Sequence, residues 1–201
     1  MMSRPAEEAW SCVNASNVRA IWPSLGLISL NSKAYRHEAG QPRDFKSIFA
    51  EISGQSIRLL IEDPYLASGD RNRGALVEFL RKLQDLNVRI AALTLAWRPA
   101  RPGLGYQDER PEDQQKDLSE RLRKIGLGSG IVHLKPRTSR VGHFHDRIVT
   151  ANIVSEGLAG RTFRWDITSG IDNLMERDRQ CSVFLTIKEA IQLKPKPTVP
   201  T

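Results

Sequence analysis

The stretch IRLLIEDPYLASGDRNRGALVEFLRKLQDLNVRIAALTL, residues 57–95, decides the fold. It begins with the apolar run from Ile57 to Ile61, which predicts a strand buried on both faces. From Arg73, leucine and phenylalanine recur every three or four residues, which predicts an amphipathic helix that ends at Asn87. The apolar run from Val88 to Leu95 predicts a second strand. This order of strand, helix and strand favours a right-handed parallel crossover and an α/β domain.

Further elements are predicted on both sides of this unit. Upstream, the spacing of apolar residues from Phe45 to Ile52 predicts a short helix, and a short strand is predicted near Leu25 to Leu30. Downstream, a polar helix is predicted from Glu112 to Ile125 and a strand from Ile131 to Leu134. Three more strands are predicted at Phe144 to Thr150, Thr162 to Thr168 and Gln180 to Ile187, of which the first two form a hairpin.

The predicted organisation is therefore a single domain with extensions. Residues 1–43 are expected to be an irregular N-terminal extension. Residues 44–192 are expected to form an α/β domain in which a mixed sheet is flanked by helices. The proline-rich residues 193–201 are expected to be a flexible tail, and no internal repeat is visible.

Composition limits the partners and the compartment. The chain has 30 Lys and Arg against 23 Asp and Glu, a net charge of +7, which favours anionic partners such as DNA, RNA or acidic lipid headgroups but is equally typical of a soluble basic surface. The cysteines, Cys12 and Cys181, do not form a disulfide or zinc pattern, which indicates a reducing compartment. The sequence shows no membrane-spanning stretch and no hydrophobic signal core, so we expect a cytoplasmic protein that is not transmembrane.

The chemistry is expected at two short motifs, His145-Asp146-Arg147 and Gly170-Ile171-Asp172-Asn173. On a strand, His145 and Arg147 share one face, where a guanidinium can bind two phosphate oxygens and an imidazole can transfer a proton. His143 and His145 also have a spacing that suits a metal, but no third ligand is nearby. We therefore expect neither a metal nor another cofactor.

These residues resemble the signature of the phospholipase D superfamily, which runs His-x-Lys, four residues, Asp, and later Gly-Ser-x-Asn. The matching positions here are His145, Arg147 and Asn152, followed by Gly170 to Asn173. Lysine is replaced by arginine, which keeps the positive charge, and serine is replaced by isoleucine. Aspartate is replaced by Asn152, which removes a carboxylate that would otherwise stabilise a protonated histidine.

A closer resemblance within that superfamily covers residues 44–188. Phe45 to Phe49, the Asp63-Pro64-Tyr65 sequence after the first strand, His145-Asp146-Arg147 and Gly170-Ile171-Asp172 look like the phospholipase D-like domain at the C-terminus of microtubule-interacting-and-trafficking (MIT) domain proteins. The resemblance implies a catalytically inactive, dimeric module that binds acidic lipid headgroups. Related prokaryotic domains occur in defence-type gene systems.

Three functions are compatible with the sequence. The first is a non-catalytic module that binds a phosphate-bearing ligand, a nucleic-acid backbone or a lipid headgroup, through His143, His145, Arg147, Asp172 and Asn173, with Asp63 and Tyr65 nearby. The second is a homodimeric phosphodiesterase or nuclease that uses His145 of each subunit with Arg147 and Asn152. The third is a structural subunit of a larger protein assembly.

Other residues are candidates for contacts with the ligand. Trp97 and Tyr106 are candidates for base stacking, whereas Trp165 is expected in the core. A basic groove around the His145 face is predicted from residues in loops and at the ends of elements: Arg71, Arg73, Arg98, Arg101, Lys135, Arg137, Arg140, Arg177 and Arg179.

Overall fold

The computed structural model describes residues 28–99, 109–137, 147–154, 161–176 and 179–190. A single seven-stranded mixed sheet with helices organises these residues, which confirms the predicted fold class. Within these ranges, no helix combines the length and the apolar character that crossing a membrane requires.

The strand order across the sheet is β1-β7-β6-β5-β2-β3-β4. Strands β2, β3 and β4 are parallel to one another, and the remaining neighbours pair antiparallel. The strands are β1 (Ile28–His37), β2 (Ser56–Glu62), β3 (Arg89–Trp97), β4 (Val132–Pro136), β5 (Ile148–Ile153), β6 (Arg161–Ile167) and β7 (Cys181–Ala190).

Four α-helices connect these strands in the described residues: α1 (Phe45–Ile48), α2 (Asp70–Asp85), α3 (Pro111–Lys124) and α4 (Gly170–Met175). A short 3-10 helix, Ala50–Ile52, continues α1 after a break at Phe49. Helix α2 connects β2 to β3 and helix α3 connects β3 to β4, as parallel pairing requires. Because β2, β3 and β4 lie side by side in chain order, right-handed crossovers place both helices on the same face of the sheet.

One hydrophobic core lies between this face and the helices. Alternate strand residues, such as Ile57, Leu59 and Ile61 of β2, point into it together with apolar residues of all four helices. On the opposite face, Arg58 of β2 is exposed and Leu60 is half-buried. The prediction that this strand is buried on both faces was therefore wrong, since the described helices cover only one face.

The N-terminal boundary also needs correction. In the N-terminal extension, which was predicted to be irregular apart from a short strand near Leu25 to Leu30, residues 28–37 form β1 and pair with β7 along its whole length. Strand β1 is at the edge of the sheet, and its side chains from Asn31 to Ala34 are all exposed. Because successive side chains from Asn31 to Ala34 are exposed on both faces, this part of the strand needs no apolar alternation and does not carry the usual strand pattern.

The two tryptophans of the described residues that were singled out are both buried. Trp165 lies in the core as predicted, and its Nε1 donates to the carbonyl of Ile48 at 2.9 Å. Trp97 was considered for base stacking, which requires an exposed ring. Instead it ends β3, fully buried, with Nε1 donating to Oε1 of Gln114 at 3.3 Å, so the stacking hypothesis for Trp97 was wrong.

Candidate functional site

Three chain segments meet at the carboxyl end of β2. Asp63 and Tyr65 follow β2 directly, and Arg147 immediately precedes β5. The segment that starts at Gly170 follows β6 after a short turn. Because β2 pairs antiparallel with β5, and β5 with β6, the end of β2 and the end of β6 both adjoin the start of β5. Sequence-predicted residues separated by more than 100 positions are thus brought together at the edge where α/β sheets commonly bind ligands.

Asp63 is the most buried carboxylate of this cluster, with only 4% of its surface exposed. Its Oδ1 accepts a hydrogen bond from the backbone N–H of Tyr65 at 2.9 Å, and the backbone of Ile171 also bonds to it. Burial raises the pKa of Asp63, because a charged carboxylate is poorly solvated in the interior. The two backbone bonds and the charge of Arg147 oppose this increase in pKa, and Asp172 adds to it.

Arg147 is anchored by its backbone and keeps most of its guanidinium available. Its carbonyl accepts from the N–H of Ile167 at 2.9 Å, and its Nη1 donates to the carbonyl of Thr168 at 3.0 Å. The guanidinium carbon lies 5.4 Å from the centre of the Tyr65 ring, which is a cation–π distance. Among the described residues, Arg147 has no carboxylate within ion-pair distance. A guanidinium carries five N–H donors, so this arrangement leaves room for a bidentate anion.

Gly170 allows the segments to approach this closely. A Cβ atom at this position would lie 2.9 Å from Oδ2 of Asp63, 2.9 Å from Oδ1 of Asp172 and 3.2 Å from Cδ of Arg147. The backbone also has φ of +88°, which disfavours any side chain. Only glycine therefore fits at this position without displacing the charged groups of the site.

Asn173 contributes a buried amide, with 7% of its surface exposed. Its Nδ2 donates to the carbonyl of Ser169 at 2.5 Å and lies 3.4 Å from Oδ1 of Asp172. Its Oδ1 is buried and has no hydrogen-bond partner among the described residues. An unpaired buried acceptor costs free energy, and this one could accept a hydrogen bond from a bound group. Buried nitrogen atoms of His37, Arg43 and Arg73 are also unpaired, so this feature alone does not identify a site.

The structure does not bring Asn152 into this cluster. Asn152 lies about five residues further along β5 than Arg147, roughly 17 Å away at the usual rise of a strand. Its side chain is exposed, and its Oδ1 accepts from the hydroxyl of Thr162 at 2.6 Å on the neighbouring strand. A role for Asn152 beside Arg147 is therefore not supported. His143 and His145 lie outside the described residues.

The structure describes only some of the residues that were predicted to form the basic groove. Arg73 is buried and ion-paired with Glu109 and Asp117, so it does not belong to a groove. Arg71 pairs with Glu176, and Arg137 pairs with Glu62. Lys135 and Arg179 are exposed, and Arg98 is half-buried. Arg101, Tyr106, Arg140 and Arg177 are outside the described residues.

Two supporting contacts were missed at the sequence level. The carbonyl of Thr168 holds the Arg147 guanidinium, and Arg43 donates to the carbonyl of Glu176 at 3.2 Å, which ties the end of α4 to the loop after β1. Backbone acceptors leave no mark on the sequence because every residue has one. In the described residues, no group of three His, Cys, Asp or Glu is arranged to hold a metal ion.

Comparison with known proteins gives matches among solved structures. No protein-family model matches the chain, and no curated protein matches it. Among solved structures, it is similar to Nuc from Salmonella typhimurium, a phospholipase D family member, with a TM-score of 0.41 and 9% identity over 81% of this chain and 86% of that chain. A likeness at this level carries no inference about activity or ligand.

Proposed function

We propose that this protein is a non-catalytic module of the phospholipase D-like type that binds a phosphate-bearing ligand at the Arg147 site. The proposal rests on the contacts that the Arg147 guanidinium makes. It is fixed by the carbonyl of Thr168 and the ring of Tyr65, but it has no ion-pair partner among the described residues. A phosphate can accept two parallel hydrogen bonds from such a guanidinium.

The surrounding residues support binding in different ways. Asn173 and Gly170 keep the spacing of the Gly-x-x-Asn signature, and both lie at this point of the sheet. We propose that His145, two residues before Arg147, is the second cationic or proton-donating contact to the phosphate. The net charge of +7 favours association with any polyanion.

We propose a non-catalytic protein because residues of the phospholipase D signature are substituted in this chain. Asn152 replaces the carboxylate and is hydrogen-bonded to Thr162 far from Arg147. The chain has one copy of the signature, so a phosphodiesterase would need a second His145 from a two-fold dimer. Hydrolysis of a generic phosphodiester by the wild-type protein that is lost in His145→Ala would contradict the non-catalytic part of the proposal.

Binding is tested with Arg147→Ala and a matched control. The ligand is a fluorescent single-stranded oligonucleotide or an anionic vesicle, titrated at several salt concentrations. We expect Arg147→Ala to weaken binding by about tenfold and to reduce the salt slope by about 0.7 to 1, as the loss of one phosphate contact predicts. Arg89→Ala removes the same charge from an exposed position at the start of β3, the opposite end of the sheet, and should change affinity less than about twofold.

The control separates a site from a general charge effect. Equal losses in Arg147→Ala and Arg89→Ala would show that only net charge matters, and the proposed site would be rejected. Arg147→Lys keeps the charge but loses the planar guanidinium, so an intermediate affinity is expected if two phosphate oxygens are bound together.

A further inference from the structure

Tyr65 is an exposed aromatic residue directly beside the proposed phosphate site. Its residue surface is 38% exposed, and Arg147 lies over its ring at 5.4 Å. Among the described residues, the only other large apolar side chains with comparable exposure are Val154 and Phe184. Val154 follows β5 at the end of the sheet opposite Asp63. Phe184 lies at the same end of the sheet as the site but on β7, two strands from β5, and its side chain is exposed between the buried Val183 and Leu185.

The backbone of Tyr65 is held in place from both sides. Its N–H donates to Oδ1 of Asp63 at 2.9 Å, and Pro64 before it fixes the entry into the turn. Its carbonyl accepts three hydrogen bonds, from the N–H of Ser68 at 2.9 Å, from the hydroxyl of Ser68 at 2.7 Å and from Nδ2 of Asn72 at 2.8 Å. The ring is therefore presented to solvent by a rigid turn, so little conformational entropy is lost when it contacts a ligand.

We infer that the phosphate-bearing ligand is single-stranded nucleic acid, with Tyr65 as the stacking surface for a base and Arg147 as the contact to a phosphate. The inference rests on the proposed function and specifies its ligand. An aromatic ring next to a guanidinium is the combination with which proteins bind single strands without reading their sequence. In a duplex the faces of the bases are already stacked on one another, so a paired strand cannot use Tyr65 in this way.

The same surface suits a membrane less well. Peripheral binding to lipid needs several apolar side chains that enter the headgroup region together with the basic groups. In the described part of the chain, Tyr65 is the only exposed large apolar side chain that lies beside the Arg147 guanidinium. One ring beside one guanidinium fits a base with its phosphate better than it fits a bilayer.

The experiment compares four probes by fluorescence anisotropy or flotation with the full chain. They are a short oligothymidylate, an abasic deoxyribose phosphate strand of the same length, a duplex of the same length, and vesicles that contain an anionic phospholipid. The wild type should bind the oligothymidylate about tenfold more tightly than the abasic strand, since one stacked base contributes on this scale. The duplex and the vesicles should bind no better than the abasic strand.

Substitutions test whether Tyr65 causes the preference for oligothymidylate over the abasic strand. Tyr65→Ala should abolish the preference for oligothymidylate over the abasic strand. Any loss of affinity caused by losing the ring contact to Arg147 should be the same for both strands, because both offer the same phosphates. Tyr65→Phe keeps the ring and should retain the preference. Phe184→Ala removes an exposed aromatic side chain elsewhere on the molecule and should have no effect. A preference that persists in Tyr65→Ala would overturn the inference.

The outcomes distinguish the inference from the proposal beneath it. If wild type binds the abasic strand or the vesicles as tightly as the oligothymidylate, and Arg147→Ala weakens this binding, the phosphate site stands and the assignment to single-stranded nucleic acid is wrong. If no probe shows binding that depends on Arg147, the proposed function itself is wrong.

Discussion

Asp63 and Arg73 are buried to nearly the same degree, with 4% and 6% of their surfaces exposed, but their charges are compensated in different ways. Arg73 joins α2 to the chain around α3. Its Nη1 donates to Glu109 at 2.7 Å and to the carbonyl of Ala67 at 2.8 Å, and its Nε lies 2.7 Å from Asp117. Two carboxylates and a carbonyl thus surround one guanidinium.

The surroundings of Asp63 are less complete. It accepts backbone hydrogen bonds, but its nearest cation, Arg147, forms no ion pair with it, and Asp172 adds a like charge. The neighbouring Asn173 has an unpaired buried oxygen. The comparison teaches that burial alone does not mark a site. The charge of Arg73 is balanced by carboxylates, although its Nε makes no hydrogen bond, whereas Arg147 at the end of β2 has no carboxylate within ion-pair distance among the described residues.

The largest expected effect on stability is at Arg73. Replacing it in Arg73→Ala leaves Glu109 without an ion pair and Asp117 with Arg121 alone, which should lower the free energy of unfolding by about 3 kcal/mol. We place the effect at the lower end of the range for buried pairs because both carboxylates are partly solvated. Lys82→Ala in the same helix removes an exposed pair with Glu78 and should cost less than about 1 kcal/mol.

Urea unfolding measures both variants, and ligand affinity completes the test. The folded fraction of Arg73→Ala should bind the ligand as wild type does, because Arg73 is not part of the site. Arg147→Ala should show the reverse, with nearly unchanged stability and weakened binding. The comparison breaks down if Arg73→Ala reduces affinity or if Arg147→Ala is the less stable of the two proteins.

The next effect in size is at Gly170. Gly170→Ala should lower the free energy of unfolding by about 2 kcal/mol, because it combines a positive φ with a Cβ that contacts Asp63 and Asp172 at 2.9 Å. Gly126→Ala, which follows α3, has φ of +83° and no atom within 4 Å of its Cβ, so it should cost only about 1 kcal/mol for the backbone. The difference between the free energies of unfolding of the two variants measures the cost of the contacts that a Cβ at position 170 makes with Asp63 and Asp172.

Binding distinguishes the glycines further. Gly170→Ala displaces the carboxylates beside Arg147 and should weaken ligand binding, whereas Gly126→Ala should not. Equal destabilisation and equal affinity in the two variants would mean that the contacts around Gly170 have no bearing on the ligand.

The helices and strands around the core follow from the sequence because apolar periodicity is their cause. Helix α2 and strand β3 were predicted within a few residues from leucine and β-branched spacing alone. Strand β1 was predicted only at its start, near Leu25 to Leu30, because the exposed side chains from Asn31 to Ala34 carry no such pattern and its pairing with β7 depends on residues about 150 positions away. Trp97 was misplaced for a related reason, since the partner that accepts its N–H, Gln114, belongs to a later helix.

The site was predictable in its composition but not in its geometry. The motifs named Asp63, Tyr65, Arg147 and Asn173, and the structure brings these residues to one edge of the sheet. Spacing within a motif also suggested Asn152, which the register of β5 instead pairs with Arg58, far from the others. A linear motif fixes which residues occur, whereas strand length and register decide which of them meet.

The smallest expected effect concerns the pH dependence that Asp63 adds to stability. Burial raises the pKa of Asp63 in the folded state above the ordinary 3.8 of the unfolded chain. Its contribution to stability is therefore fully present below about pH 3.8 and is lost as pH rises through the folded-state pKa. In Asp63→Asn the side chain does not titrate, so the stability of wild type relative to this variant should fall as pH rises.

Asp44, at the start of α1, provides a control with the opposite sign. The Ser47 hydroxyl and N–H bond to its carboxylate and lower its pKa, so its contribution is present at neutral pH and is lost as pH falls through the folded-state pKa. Urea unfolding of wild type, Asp63→Asn and Asp44→Asn from about pH 2 to about pH 7.5 measures both trends, because the folded-state pKa of Asp44 lies below its ordinary value. If the contributions of Asp63 and Asp44 to stability changed with pH in the same direction, Arg147 would compensate the charge of Asp63 as fully as Glu109 and Asp117 compensate that of Arg73. The contrast between the two buried charges would then be wrong.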